Sequence, residues 1–107
     1  MDITNPAQLG ASEAAEAIRD GALRSEELVR ACIERVDEVD DDVRAWAFLD
    51  RDYALAQARR CDEMRASGLP LGPLHGVPVA LKDIIDTEDM PTENGTVLHQ
   101  GRRPTKD

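Results

Sequence analysis

Aromatic residues are almost absent from this chain, which has one Trp, one Tyr and one Phe among its 107 residues. Its core must therefore be built from Ala, Val, Leu and Ile. Hydrophobic residues still make up 41% of the chain, close to the globular average, which excludes disorder throughout. We expect one small domain over residues 1–107, with a modest core that is completed by something outside this chain.

Lysine is also scarce, since Lys82 and Lys106 are the only lysines among 13 basic residues, and the formal net charge is −9. Such an acidic surface repels nucleic-acid phosphates and anionic membranes, so we expect no direct nucleic-acid partner and no membrane partner. The sequence has no apolar run of the ~18 residues that a membrane span needs. It also starts without the basic and apolar regions of a signal peptide, so we expect a cytoplasmic protein.

Cysteine and histidine are too few and too scattered to predict a metal centre. Cys32 and Cys61 lie on predicted helices without the spacing of paired ligands, and we expect two buried, reduced thiols. His75 and His99 are far apart, which argues against zinc. The run Asp40-Asp41-Asp42 has no convergent partners, and a glycine-rich phosphate loop is missing. We therefore expect neither a metal nor a cofactor.

Helical periodicity occupies the first two thirds of the chain. It predicts three helices that follow capping residues: Glu13–Asp20 after Ser12, a second helix that opens with Glu26 after Ser25 and ends at the Asp40–Asp42 run, and Arg51–Ala66 after Asp50. Two short apolar runs, Val43–Leu49 and Val77–Leu81, predict strands. From Thr87 onward the sequence is typical of loop. The expected fold class is α/β, in the form of an α+β fragment.

The most informative segment is Gly72–Asp86, in which Lys82 directly follows the second predicted strand. At the end of a buried strand its amine loses water, which favours the neutral form. Such a lysine can form a Schiff base, act as a general base on a hydroxyl, or pair with an acid. The alternative to a functional lysine is a solvated lysine beside an acid. The polar residues within reach by sequence are His75, Asp83, Asp86, Thr92, Asn94 and Thr96.

These neighbours do not complete a catalytic site. His75 lies in a turn and is typical of a structural histidine, while Asp83 and Asp86 are typical of orienting or solvated carboxylates. The three serines, Ser12, Ser25 and Ser67, lie at predicted caps or at a helix end. None lies in a glycine-rich, strained turn that aims a hydroxyl at a carbonyl beside oxyanion-binding N–H groups. The sequence supplies a candidate base and no candidate nucleophile.

The segment Gly72–Asp83, followed by Pro91-Thr92 and Gly95-Thr96, resembles the amidase signature family. The resemblance extends from about residue 7 to the last residue. It implies that residues 1–107 are the N-terminal portion of an amidase domain, with N-terminal helices and the first strands of a mixed-sheet α/β/α fold. The family includes free-standing amidases and the A subunit of glutamyl-tRNA(Gln) amidotransferase.

The resemblance implies a Ser–cis-Ser–Lys triad that cleaves a carboxamide C–N bond, with Lys82 as the catalytic base. Both family serines lie in a Gly-Ser-Ser-Gly-rich segment that this sequence lacks, so we expect the chain alone to be inactive. The implied partners are a small amide substrate of the complete protein, the remainder of the amidase chain, and amidotransferase subunits. The alternative is a truncated, non-catalytic paralogue or complementing chain that acts as an interaction module.

Overall fold

The computed structural model describes residues 3–107, which fold into three α-helices and two single-turn 3-10 helices. They are Pro6–Gln8 (3-10), α1 (Ala11–Arg19), α2 (Ser25–Val43), α3 (Arg51–Ala66) and Val97–His99 (3-10). The chain forms two compact units. The helical unit contains residues 3–44 and Asp50–Pro78, and the C-terminal unit contains Ala45–Leu49 and Val79–Asp107. None of the described helices is both long and apolar enough to cross a membrane.

Helix α1 begins one residue before the predicted cap, so the expected start after Ser12 is wrong. Gly10 precedes the helix, and the carboxylate of Glu13 reaches back to accept a hydrogen bond from the Gly10 N–H (3.2 Å). An acid in the first turn also suits the positive end of the helix dipole. The apolar face of α1 builds the core of the helical unit, which consists of Ala14, Ala17, Ile18, Leu23 and Leu28.

Helix α2 begins at Ser25, but Ser25 does not cap it. The Ser25 side chain is buried (1% exposed), and its hydroxyl donates to the Gly76 carbonyl oxygen at 2.6 Å. The cap comes instead from Asp62 on α3, whose two carboxylate oxygens accept from the backbone N–H groups of Ser25 (2.6 Å) and Glu26 (3.0 Å). The carboxylate pairs two N–H groups that have no partner within a helix. It therefore ties α3 to the start of α2.

The prediction for α3 is confirmed at both ends. Asp50 caps the helix, since its carboxylate accepts from the Tyr53 N–H at 3.0 Å, and the helix covers Arg51–Ala66. Ala58 of this helix is buried. The hydroxyl of Ser67 donates to the Met64 carbonyl oxygen at 2.7 Å and completes the last turn.

The glycine- and proline-rich turn at residues 72–77 packs on the helical unit through its backbone and His75. Besides the Ser25 contact at Gly76, the Nε2 of His75 donates to the Cys61 carbonyl oxygen (2.8 Å). A guanidinium nitrogen of Arg19 donates to the Pro73 carbonyl oxygen (3.2 Å). These contacts come from all three helices, so this turn is part of the helical packing and His75 has a structural role.

Gly76→Ala is expected to destabilise the chain by about 2–4 kcal/mol, because the residue combines a positive φ (+82°) with a crowded environment. An added Cβ would lie 3.1 Å from Ile18 Cδ1 and 3.1 Å from Ser25 Cβ. Gly68→Ala is the matched control, since Gly68 has a similar φ (+77°) and no atom within 4 Å of the added Cβ. It should cost about 1–2 kcal/mol. Urea unfolding followed by circular dichroism measures both, and equal losses would contradict the packing argument.

Neither predicted strand forms in the part of the chain that the structure describes, so the α/β prediction is wrong for residues 3–107. Helix α2 continues through Val43 and ends at Arg44, which adopts the left-handed conformation (φ 54°, ψ 46°). Val79 is 76% exposed and Leu81 is 45% exposed. A strand needs a neighbour for its backbone N–H and C=O groups, and these described residues provide none. The fold of this part of the chain is helical.

Candidate functional site

Lys82 lies in the C-terminal unit at the start of a turn, which we call the Lys82 turn (residues 82–86). The carbonyl oxygen of Lys82 accepts a hydrogen bond from the Ile85 N–H at 3.0 Å. The residue is exposed, and the strand that was expected to bury it is absent from the described residues. The prediction of a dry lysine at a strand end is therefore wrong for this structure. The lysine is solvent-exposed on an ordered turn.

Asp83 connects the Lys82 turn to a second segment, the return loop (residues 92–102). Its carboxylate accepts from the Glu93 N–H and its carbonyl oxygen accepts from the Asn94 N–H, both at 2.9 Å. One residue thus uses its side chain and its backbone to hold two consecutive amides of the return loop. This is the orienting role that the sequence offered as one of two alternatives for Asp83.

Thr92 is the most buried residue of the C-terminal unit, at 1% exposure. Its hydroxyl donates to the Ile85 carbonyl oxygen at 3.1 Å, and its N–H donates to the Arg102 carbonyl oxygen at 3.0 Å. A buried hydroxyl without a partner would be costly, and here it is satisfied by the Lys82 turn. Thr92, the first residue of the return loop, therefore contacts both the Lys82 turn and the last residue of the loop, Arg102.

Arg102 forms a two-pronged ion pair with Asp86 across the same junction. Its two terminal nitrogens lie 2.8 and 3.0 Å from the two carboxylate oxygens, and one of them also donates to the Thr92 carbonyl oxygen at 3.2 Å. Hydrogen bonds from the Arg102 guanidinium hold the pKa of the Asp86 carboxyl below its usual range. Paired nitrogens and oxygens of this kind restrict the relative orientation of the two groups as well as their distance.

The return loop is also bonded within itself. A carboxylate oxygen of Glu93 accepts from the Gly101 N–H at 2.6 Å, and the side-chain amide of Asn94 donates to Nδ1 of His99 at 3.0 Å. The hydroxyl of Thr96 accepts from the Leu98 N–H (3.2 Å) and caps the 3-10 helix Val97–His99. Asn94 and Thr96, both candidates from the sequence, therefore shape the loop.

Arg102 and Glu93 are the two residues at this junction that sequence reasoning missed. Arg102 lies 16 residues after Asp86, in a stretch without periodicity or capping pattern, so no spacing marks the pair. The glutamate lies directly after Thr92, which was a candidate, but an isolated acid in a loop carries no signal for a backbone contact. Both are recognisable only from the folded chain.

The remaining candidates of the sequence lie outside this junction. Cys32 and Cys61 are free, half-buried thiols, and burial raises the pKa of the Cys32 thiol. Among residues 3–107, no group of three or more His, Cys, Asp or Glu side chains converges as a metal site. Of the serines, Ser25 and Ser67 donate to backbone carbonyl oxygens of the helical unit, and Ser12 lies on the exposed side of α1.

The Lys82 turn presents an exposed amine on an ordered backbone. The turn is joined to the return loop by hydrogen bonds of Asp83, Thr92 and Arg102. Residues 27–107, which include this turn and the return loop, match the family model Amidase. The chain therefore belongs to the amidase family.

Several curated bacterial proteins that are similar to this chain are named as the A subunit of glutamyl-tRNA(Gln) amidotransferase. The protein of Streptomyces avermitilis is 45% identical over 103 residues, 96% of this chain and 21% of its own length. That of Streptomyces coelicolor is 45% identical over 100 residues, 94% and 20% of the two chains. That of Chloroflexus aurantiacus is 41% identical over 96 residues, 90% and 20%. This chain spans about a fifth of the length of these relatives.

Proposed function

We propose that this chain is the N-terminal part of an amidase-type enzyme that cleaves a carboxamide C–N bond, with Lys82 as the catalytic base. Family membership over residues 27–107 is the observation that carries the proposal, because this range includes the lysine and the contacts that order its turn. The exposed lysine fits this role only in the complete protein. There, further chain would cover the exposed apolar side chains beside it, such as Val79 and Leu81, and favour the neutral amine.

In the proposed reaction the neutral amine of Lys82 takes a proton from a bridging serine, which takes one from the nucleophilic serine. The oxygen of the nucleophilic serine attacks the amide carbon and forms a C–O bond, and the C–N bond breaks. The leaving nitrogen takes up a proton as ammonia or an amine, and water then hydrolyses the acyl-serine to the acid. Neither serine belongs to this chain, so we propose that the chain alone is inactive.

A second candidate within the same family is the transamidating subunit. The relatives described above carry this function in their name, at 41–45% identity. In that case the amide is glutamine, and the ammonia passes to an acceptor held by partner subunits. We propose a cytoplasmic location for either enzyme. Glutamine hydrolysis that rises when partner subunits are added favours the transamidating enzyme, whereas partner-independent hydrolysis of small amides favours the free amidase.

The complete protein, given a small carboxamide and hydroxylamine, is expected to release ammonia and form the hydroxamate. An acyl-serine intermediate is attacked by either water or hydroxylamine, so both products share one precursor. A colorimetric hydroxamate assay and an ammonia assay measure them together. The 107-residue chain alone is the control and should form neither product. A complete protein that forms neither product from any carboxamide, glutamine included, would favour the interaction-module alternative.

A further inference from the structure

The Lys82 turn has very little apolar packing of its own, which makes its polar contacts decisive. Ile84 is 59% exposed and Ile85 is 48% exposed, so neither side chain anchors the turn in a core. Its order comes from hydrogen bonds to the return loop, which Asp83, Ile85 and Asp86 of the turn make with Glu93, Thr92 and Arg102. Turns of this kind open locally at low cost unless their polar contacts cooperate.

Arg102 is the residue on which these contacts converge. Its guanidinium bonds both carboxylate oxygens of Asp86 and the carbonyl oxygen of Thr92, while its own carbonyl oxygen accepts from the Thr92 N–H. Thr92 in turn bonds the carbonyl oxygen of Ile85. The end of the Lys82 turn is therefore attached to Arg102 by two routes, one through the Asp86 carboxylate and one through Thr92.

We propose that the Asp86–Arg102 ion pair is a positioning pair for Lys82, which sets the turn so that the lysine amine meets the serine hydroxyl. This inference rests on the proposed function. Lysine is unsuited to replace Arg102, since an ammonium cannot pair with both carboxylate oxygens in one plane while also bonding a carbonyl. In this proposal the pair acts on the lysine through the turn and not through contact with the substrate.

Asp86→Asn and Arg102→Gln in the complete protein are each expected to lower kcat for amide hydrolysis by about ten- to a hundredfold. KM should stay within about twofold, because substrate contacts are unchanged while the base is displaced. The double variant should be no slower than the worse single variant, since both changes remove the same pair. Arg103→Gln is the matched control. Arg103 is the next residue, its guanidinium lies 6.0 Å from the Phe48 ring centre, and kcat should not change.

Amide hydrogen exchange in the same variants separates this inference from the proposed function. Faster exchange at Ile85 and Asn94 in the two variants, but not in Arg103→Gln, is expected if the pair holds the turn. Unchanged exchange would overturn the positioning role whatever the activity. Faster exchange with unchanged kcat would overturn it too. Full activity of a Lys82→Arg protein would instead overturn the catalytic role of the lysine, while the exchange data would still report on the ion pair.

Discussion

Lys82→Arg in the complete protein is expected to lower kcat for amide hydrolysis by about 10²–10⁴-fold, the usual contribution of a general base. Arginine has a similar length, but its guanidinium stays protonated in proteins and cannot accept a proton. The change therefore removes the base while keeping a long side chain at this position. Initial rates of ammonia release at saturating amide measure the effect.

Lys106→Arg is the matched control for this experiment, because Lys106 is the other lysine of the chain and is also exposed. Its rate should match that of the unchanged protein. Circular dichroism of both variants checks that the helices are retained. If Lys82→Arg hydrolysed amides within about twofold of the unchanged protein, the lysine would not be the base, since a charged guanidinium cannot perform this step.

Asp62→Ala is expected to destabilise the chain by about 2–4 kcal/mol, the largest stability loss we expect from a polar residue here. The carboxylate accepts two N–H bonds at the start of α2, at 2.6 and 3.0 Å, and one of these groups belongs to the buried Ser25. Removing it leaves two helix N–H groups without a partner and also removes a negative charge from the positive end of the helix. Urea unfolding monitored by circular dichroism measures the loss.

Two further variants make the Asp62 experiment specific. Asp62→Asn keeps one acceptor oxygen, because only the amide nitrogen cannot accept from a backbone N–H. It should therefore lower the free energy of unfolding by about half as much as Asp62→Ala. Glu63→Ala removes the neighbouring, exposed acid of α3 and should change stability by less than about 0.5 kcal/mol. A loss at Glu63 equal to that at Asp62 would mean that net charge, and not capping, is responsible.

Local signals predicted the helices well. The cap at Asp50 correctly predicted the start of α3, because a capping side chain acts within the first turn of the helix. Helix α2 was predicted to open at Glu26 with Ser25 as its cap, but it begins one residue earlier, at Ser25. Its cap is Asp62, 37 residues further along the chain, and no local pattern points to it.

Strands were predicted less well, because a strand depends on a partner that a single segment does not contain. The apolar runs at 43–49 and 77–81 are present in the sequence, but within residues 3–107 neither run has a neighbour to pair with. Of the site, the Lys82–Asp83 motif and Thr92 were foreseen as sequence neighbours. Arg102 was not, since the contact depends on how the return loop folds back.

The origin of the α2 cap has a consequence for the order in which this chain becomes structured. During synthesis, the N–H groups of Ser25 and Glu26 emerge 36–37 residues ahead of the carboxylate that they will bind. The first turn of α2 is therefore completed only after Asp62 has left the ribosome and α3 has docked. A nascent chain that ends before this point carries a frayed second helix, however favourable its local composition.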